Sequence, residues 1–368
     1  MKALRTAHSQ SWIAERWVQP VEPLRGIAAF AVVVHHSWRQ AFTPPIFPLA
    51  FWLGDWGVAL FFVISGFCIH LPQAARERDV ITAPIDWGRF FARRARRILP
   101  AYYAALMLSA LVCCFTPIGN SGRPSAADLI AHALMIPVWY FPFFHSINMV
   151  FWTIAIECQF YLAYPFYLHM RRRFGASLPL LLTAVGMAIF LSSSVFPKGG
   201  GWRFVWQRLF VVYWWQWSLG AYLADWYVGG IRTWWTGLIS FSGSSLMWLG
   251  ASLALAFVDL PIALWIVPIP CFLMLAALVI KSKQFPELAA LSSLGAFSYS
   301  LYLVHPVAIG LFAGLLRRST GGLAFTAYVV FSLLLARAFY ATVERRFITD
   351  RAAVNHPAAQ RAVGRRAT

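Results

Sequence analysis

Charge is scarce in this sequence. Asp, Glu, Lys and Arg make up 12% of its 368 residues, and the acidic sign is the rarer, 13 residues against 31 basic ones. A soluble domain carries about 25% charge, so an ordinary water-solvated surface is excluded. Cysteine is sparse too: Cys68, Cys113, Cys114, Cys158 and Cys271, with no Cys-x-x-Cys. All five fall in apolar runs, where they read as small core residues rather than a disulfide framework or metal site. No Walker A loop, Gly-x-Gly-x-x-Gly, His-Glu-x-x-His or Gly-x-Ser-x-Gly element occurs. NTP hydrolysis, dinucleotide chemistry, zinc proteolysis and esterase chemistry lose their usual signatures. No internal repeat and no second domain is visible, and the first apolar run lacks a small-residue cleavage site, so it is expected to stay as an anchor.

What the chain has is hydrocarbon. Apolar residues reach 60% and the mean hydropathy is +0.63. Several apolar runs of 18 or more residues can cross about 30 Å of bilayer. The fold class expected is an all-α polytopic membrane protein with about ten transmembrane helices. The spans fall near 22–41, 54–71, 98–117, 149–169, 178–196, 207–227, 234–257, 262–280, 291–315 and 322–343. With both termini cytoplasmic, 22 of the 31 Lys and Arg lie in inside segments and 6 in outside ones, as the positive-inside rule requires. The net charge of +18 is thus a topology signal, and no nucleic-acid partner is expected; 18 Trp and 31 Phe fit interfacial belts and lipid contact. Residues 1–21 read as a cytoplasmic segment, 22–347 as the membrane domain and 348–368 as a basic, disordered cytoplasmic tail. The outside segment 118–148, rich in Pro and aromatics, reads as a partial lid. Oligomeric state is not legible.

Polar residues inside such spans are costly and mark function. Arg25 and His36 lie eleven helical steps apart, so they share one face within about 20°, some 16 Å apart along the axis. His36, near mid-depth, can serve as a general base when neutral; His35, about 100° round the helix, is the weaker candidate. Each also has a plain reading, a snorkelling arginine and a hydrogen-bonded core histidine. Glu157 in the fourth span lies about 21 Å from Arg171, level with His36, and a histidine is a natural partner for it. His305, followed by the helix-kinking Pro306, reaches similar depth. Arg93, Arg94, Arg96 and Arg97 crowd the inner mouth of the third span. They serve either as headgroup contacts or as a clamp in which Arg94 and Arg97, three apart, grip a polyphosphate.

Taken in order, these pieces resemble the membrane acyltransferases of acyltransferase family three, which include bacterial polysaccharide O-acetyltransferases. The matching stretches are Leu24-Arg25-Gly26 to His36, Leu60 to Phe67, Arg93 to Pro100, Phe151-Trp152 to Tyr161, Ser298 to His305, and Val343 to Phe347. Ala59, Cys158 and Arg346 depart from common members, leaving Glu157 to carry the acidic role of its region. The hydrolase-like domain of some members is not seen, which implies a stand-alone version. The resemblance implies transfer of an acyl group, most often acetyl, from cytoplasmic acyl-CoA to a hydroxyl of a saccharide or lipid-linked glycan at a bacterial inner membrane, without a permanently bound cofactor or metal. His36 would act as base or acyl relay, with Glu157 and Arg25 completing the catalytic set. Arg93, Arg94, Arg97 and Arg25 would hold the CoA phosphates, and His305, Trp152, Tyr161 and Arg208 would contact substrate. The competing readings are a glycan transporter or flippase and a non-catalytic scaffold.

The topology yields a direct test. Alkaline phosphatase fused within 118–148 should be active, and a fusion after residue 348 inactive; the reverse pattern would invert the orientation.

Overall fold

A computed structural model describes residues 21–42, 49–80, 84–115, 123–229, 263–280, 289–315 and 320–348, and these form helices and connections without a strand. The first three helices are α1 (Val21–Ala41), α2 (Leu49–Arg78) and α3 (Trp87–Cys113). Two short helices, α4 (Ala126–Ala133) and α5 (Phe141–Phe144), precede α6 (Phe151–Phe174), α7 (Leu178–Ser192), α8 (Gly201–Trp206) and α9 (Phe210–Gly229). After them come α10 (Ala263–Ile266), α11 (Pro268–Ile280), α12 (Ala289–Ala296), α13 (Ser298–Leu315) and α14 (Gly322–Thr342). Helix coincides with every expected span except 234–257, which lies outside the described residues, as do 1–20 and 349–368.

Among the described residues, four helical stretches are long and apolar enough to cross a membrane: Leu53–Arg78, Phe151–Val195, Ser298–Leu315 and Gly322–Arg346. α1 is not among them, because Arg25, His35, His36 and Arg39 dilute its apolar run. The most hydrophobic stretch of α2 is 78% buried, against 22% for Phe151–Val195 and 28% for Gly322–Arg346. α2 is therefore the central post, packed chiefly on α9 and α1, and the other two present apolar surface outward. α13 lies against α14, α1 and α3.

α3 begins well before the expected residue 98. Asp86 caps it by accepting the Arg89 backbone N–H at 2.9 Å, which winds Arg89, Arg93, Arg94 and Arg97 into the helix. The segment expected as a lid folds into α4, a 3-10 turn (Pro137–Trp139) and α5. It is tied down by buried polar groups. Ser146 Oγ donates to Asp128 Oδ1 at 2.7 Å, His132 Nδ1 lies 3.1 Å from the same carboxylate oxygen, and Asn148 Nδ2 donates to the Leu303 carbonyl of α13 at 3.1 Å.

Arg171 donates to both oxygens of Asp225, at 2.6 and 2.7 Å, and to Glu77 Oε2 at 2.7 Å. Buried His70 bridges Asp225 Oδ1 and the Tyr164 hydroxyl, each at 2.9 Å. One fork-shaped cation thereby fastens α2, α6 and α9 at the end where the arginines gather.

The α2–α9 seam closes on glycine. A Cβ on Gly220 would fall 1.8 Å from the Val63 carbonyl oxygen, and one on Gly66 would fall 1.8 Å from that of Trp217. Gly220→Ala should therefore lower the melting temperature in detergent, at a cost of about 1–3 kcal/mol or more. Gly322→Ala, with open space at its Cβ, should not; equal melting of the two variants would refute the close seam.

Candidate functional site

A cavity of about 670 Å³ runs along α2 between α1, α3, α6 and α13. Its α2 wall extends from Val58 to Arg76, 18 helical steps or about 27 Å. One end is cationic, with Arg76, Arg89, Arg93, Arg94 and Arg97 from α2 and α3, and Arg25 from α1. Arg93 is exposed and Arg94 and Arg97 are half-buried. The Arg94 guanidinium lies over the rings of Phe90, at 5.7 Å, and Tyr161, at 5.9 Å, while its Nε is buried without a hydrogen-bond partner. Arg25 pairs loosely with Glu22 at 3.8 Å. The described carboxylates on the wall are Glu22, Asp79, Asp86 and Glu157, so the arginines outnumber them and the cavity favours an anion.

Glu157 projects into the cavity from α6. Its Oε1 accepts hydrogen bonds from the Ser65 hydroxyl at 3.0 Å and from the Tyr161 hydroxyl. Tyr161 is thus a cavity residue that acts on Glu157. Ser65, from α2, orients the same carboxylate. The partnership expected between Glu157 and His36 is not what the fold builds, because α13 supplies a nearer group.

That group is His305. Pro306 has no N–H, so the Tyr302 carbonyl four residues back is left without its helical donor. His305 Nδ1 approaches this carbonyl at 2.9 Å and that of Leu301 at 3.1 Å. Both partners only accept, so Nδ1 carries the proton and Nε2 of the neutral ring is an acceptor. His36 Nδ1 lies 2.8 Å from that Nε2 and must be the donor. The network therefore assigns the His36 proton to Nδ1 and leaves a lone pair on His36 Nε2, the arrangement of a general base held by a second group. His35 meets His36 edge-on, with ring centroids 4.7 Å apart, and its ring covers Gly54.

Trp152 and Arg208 do not line the cavity, and they come together elsewhere. The Arg208 guanidinium sits 3.8 Å from the Phe204 ring centroid, and Trp152 stacks on Phe144 at 5.3 Å. Phe144 also packs on Phe204, at 4.9 Å. This aromatic cluster surrounds the first residues of α6, at the end of that helix away from Arg171. Beside it, burial pulls the imidazole of His145 down to about 4, so it is neutral at physiological pH.

Glu344 is a residue that sequence reasoning left unassigned, although it lies in the last matching stretch. It is buried and accepts both the backbone N–H of Ser300, at 3.0 Å, and the Ser300 hydroxyl. A carboxylate on the first turn of α13 complements the helix dipole and holds the helix that carries Tyr302 and His305. No group of His, Cys, Asp and Glu suited to a metal ion occurs among the described residues.

A family model for an acyltransferase domain matches residues 21–341. The chain belongs to the acyltransferase-3 family. Among similar proteins is the peptidoglycan O-acetyltransferase OatA of Listeria monocytogenes, 27% identical over 199 residues, which are 50% of this chain and 29% of that protein. A protein named putative O-acetyltransferase from Staphylococcus aureus is 29% identical over 159 residues, 41% of this chain and 24% of its own length. Another, named putative peptidoglycan O-acetyltransferase YrhL, from Bacillus subtilis, is 27% identical over 206 residues, 50% of this chain and 30% of its own length. The matched stretches therefore span under a third of these relatives. No solved structure matches the chain. The matching region is an acyltransferase domain, and the described helices include stretches long and apolar enough for an integral membrane protein.

The cationic end of the cavity can be tested with a small anion. Adenosine 3′,5′-bisphosphate should bind the purified protein, and Arg94→Ala with Arg97→Ala should weaken it about tenfold or more, as the loss of about 1.5–3 kcal/mol for a charge-assisted contact implies. Unchanged affinity in the double variant would remove these arginines from the site.

Proposed function

We propose that this protein transfers an acetyl group from acyl-CoA to a hydroxyl of a cell-envelope or exported saccharide, in a bacterial inner membrane that it crosses many times with both termini in the cytoplasm. The observation that carries this reading is the histidine relay, which leaves His36 Nε2 free, beside a long cavity rich in arginine at its other end. The cavity has the length for a nucleotide head with an extended arm, and its cations suit phosphates. The names of the relatives support O-acetyl transfer.

In this reading Arg94 and Arg97, with Arg25 and Arg93, hold the CoA phosphates. The thioester reaches inward along α2 past Glu157. The acceptor approaches from the opposite end, where the Trp152 and Arg208 cluster offers the aromatic face and cation that a sugar and its anionic groups require. His36 Nε2 takes the proton of the acceptor hydroxyl as its oxygen attacks the thioester carbon. The C–S bond breaks, and the proton passes to the departing thiolate. The imidazolium that forms keeps its Nδ1–H on His305 Nε2, so His305 is a positioning residue that also steadies the charge. Glu157, fixed by Ser65 and Tyr161, offsets the arginines and limits how deeply the anionic head penetrates.

The decisive measurement is acetyl transfer to envelope polysaccharide in reconstituted vesicles. His36→Ala should reduce the rate about 10²–10⁴-fold while acetyl-CoA binding persists. His305→Gln, which cannot reproduce the relay, should lower the rate with little change in KM for acetyl-CoA. Wild-type transfer by His36→Ala would exclude His36 as the base, and glycan flux without acetyl-CoA binding would favour a transporter.

A further inference from the structure

Neither His36 nor His305 is among the described residues that line the cavity; on the α13 side the lining is Tyr299 and Tyr302. Tyr302 belongs to both compartments. Its ring faces the cavity, and its centroid lies 6.1 Å from that of His305. Phe61 of α2 meets the ring edge-on at 5.4 Å. Thr153 of α6 donates its own hydroxyl to the Val150 carbonyl at 2.9 Å, so in the 2.7 Å contact between Tyr302 Oη and Thr153 Oγ1 the tyrosine is the donor. The side chain is buried and pinned by α2 and α6, while its backbone carbonyl holds His305.

We propose that Tyr302 is a partition, one side chain thick, between the acyl end of the donor and the histidine pair. This rests on the reading of the cavity as the acyl-CoA site. Held by Thr153, the ring keeps the thioester away from the lone pair of His36 until the acceptor hydroxyl is in place. Transfer then requires the ring to turn aside. A thioester left open to a general base and water is hydrolysed, so exclusion of water protects the donor. In that side reaction water oxygen bonds to the acyl carbon and the C–S bond breaks. The proton that His36 removes from water ends on the CoA thiolate, leaving free carboxylic acid.

The experiment is release of CoA thiol from acetyl-CoA by purified protein without any acceptor, alongside acetyl-CoA affinity. Tyr302→Ala should bind acetyl-CoA and hydrolyse it at least about tenfold faster than wild type, within the range a placed base contributes. Tyr302→Phe, which keeps the ring and loses the pin, should fall between the two. The double variant Tyr302→Ala, His36→Ala should lose the increase. If Tyr302→Ala does not purify as a folded protein, Tyr302→Leu carries the same expectation. Intact binding with no rise in hydrolysis would overturn the partition alone, as would a rise that persists without His36. No acetyl-CoA binding by wild-type protein would overturn the donor reading and the partition with it.

Discussion

Pro306 withholds one backbone hydrogen bond from α13, and the chemistry of the site depends on that omission. A carbonyl without its helical donor in an apolar interior is costly. The nearest donor is the imidazole of the preceding residue, so the Tyr302 carbonyl captures the His305 Nδ1 proton. Everything after that is forced: His305 Nε2 accepts, His36 Nδ1 donates, and His36 Nε2 is left basic. No carboxylate is needed to set these tautomers. Two neutral imidazoles and a carbonyl do in this interior what an aspartate does elsewhere, without burying a second charge.

The arginines of the cavity are kept apart from this relay. Arginines occupy one end of the cavity, and the one carboxylate that reaches deep inside, Glu157, is spent on Ser65 and Tyr161. Gathering cations at the mouth attracts an anionic head. α2 makes this arrangement possible, because it forms one cavity wall over its length and packs so closely on α9 through Gly66 and Gly220. The small residues there set the width of the central post, and the cavity forms on its other side.

Much of this was legible in the sequence, for local reasons. Apolar run length marks the helices, and helical spacing finds Arg25, His36, Glu157 and His305 as the costly polar residues within them. The resemblance to the family, carried by six stretches in order, is borne out by the match over residues 21–341. What could not be read was pairing across long separations. Equal depth suggested Glu157 for His36, yet His305, 269 residues away, is the partner, and Glu157 turns to Ser65, 92 residues away. Arg25 and His36 share a helical face by arithmetic, but the ring of Tyr302, from another helix, ends the cavity between them. Nothing local to Arg171 reveals Asp225, 54 residues away, as its partner. Such choices are made by tertiary packing, where sequence periodicity carries no information.

The ion cluster at Arg171 also imposes an order in time. Its carboxylate partners lie 94 residues before it, at Glu77, and 54 residues after it, at Asp225. At synthesis rates of about 5–20 residues per second, Arg171 waits roughly 3–10 seconds for Asp225 to emerge. During that interval the early helices sit in the bilayer with half a clamp and with the glycine face of α2 uncovered. The arrival of α9 supplies the missing carboxylate and the missing packing surface together. Assembly of the central post is thus a single late event in biogenesis, and a chain truncated before residue 225 has no means of completing it.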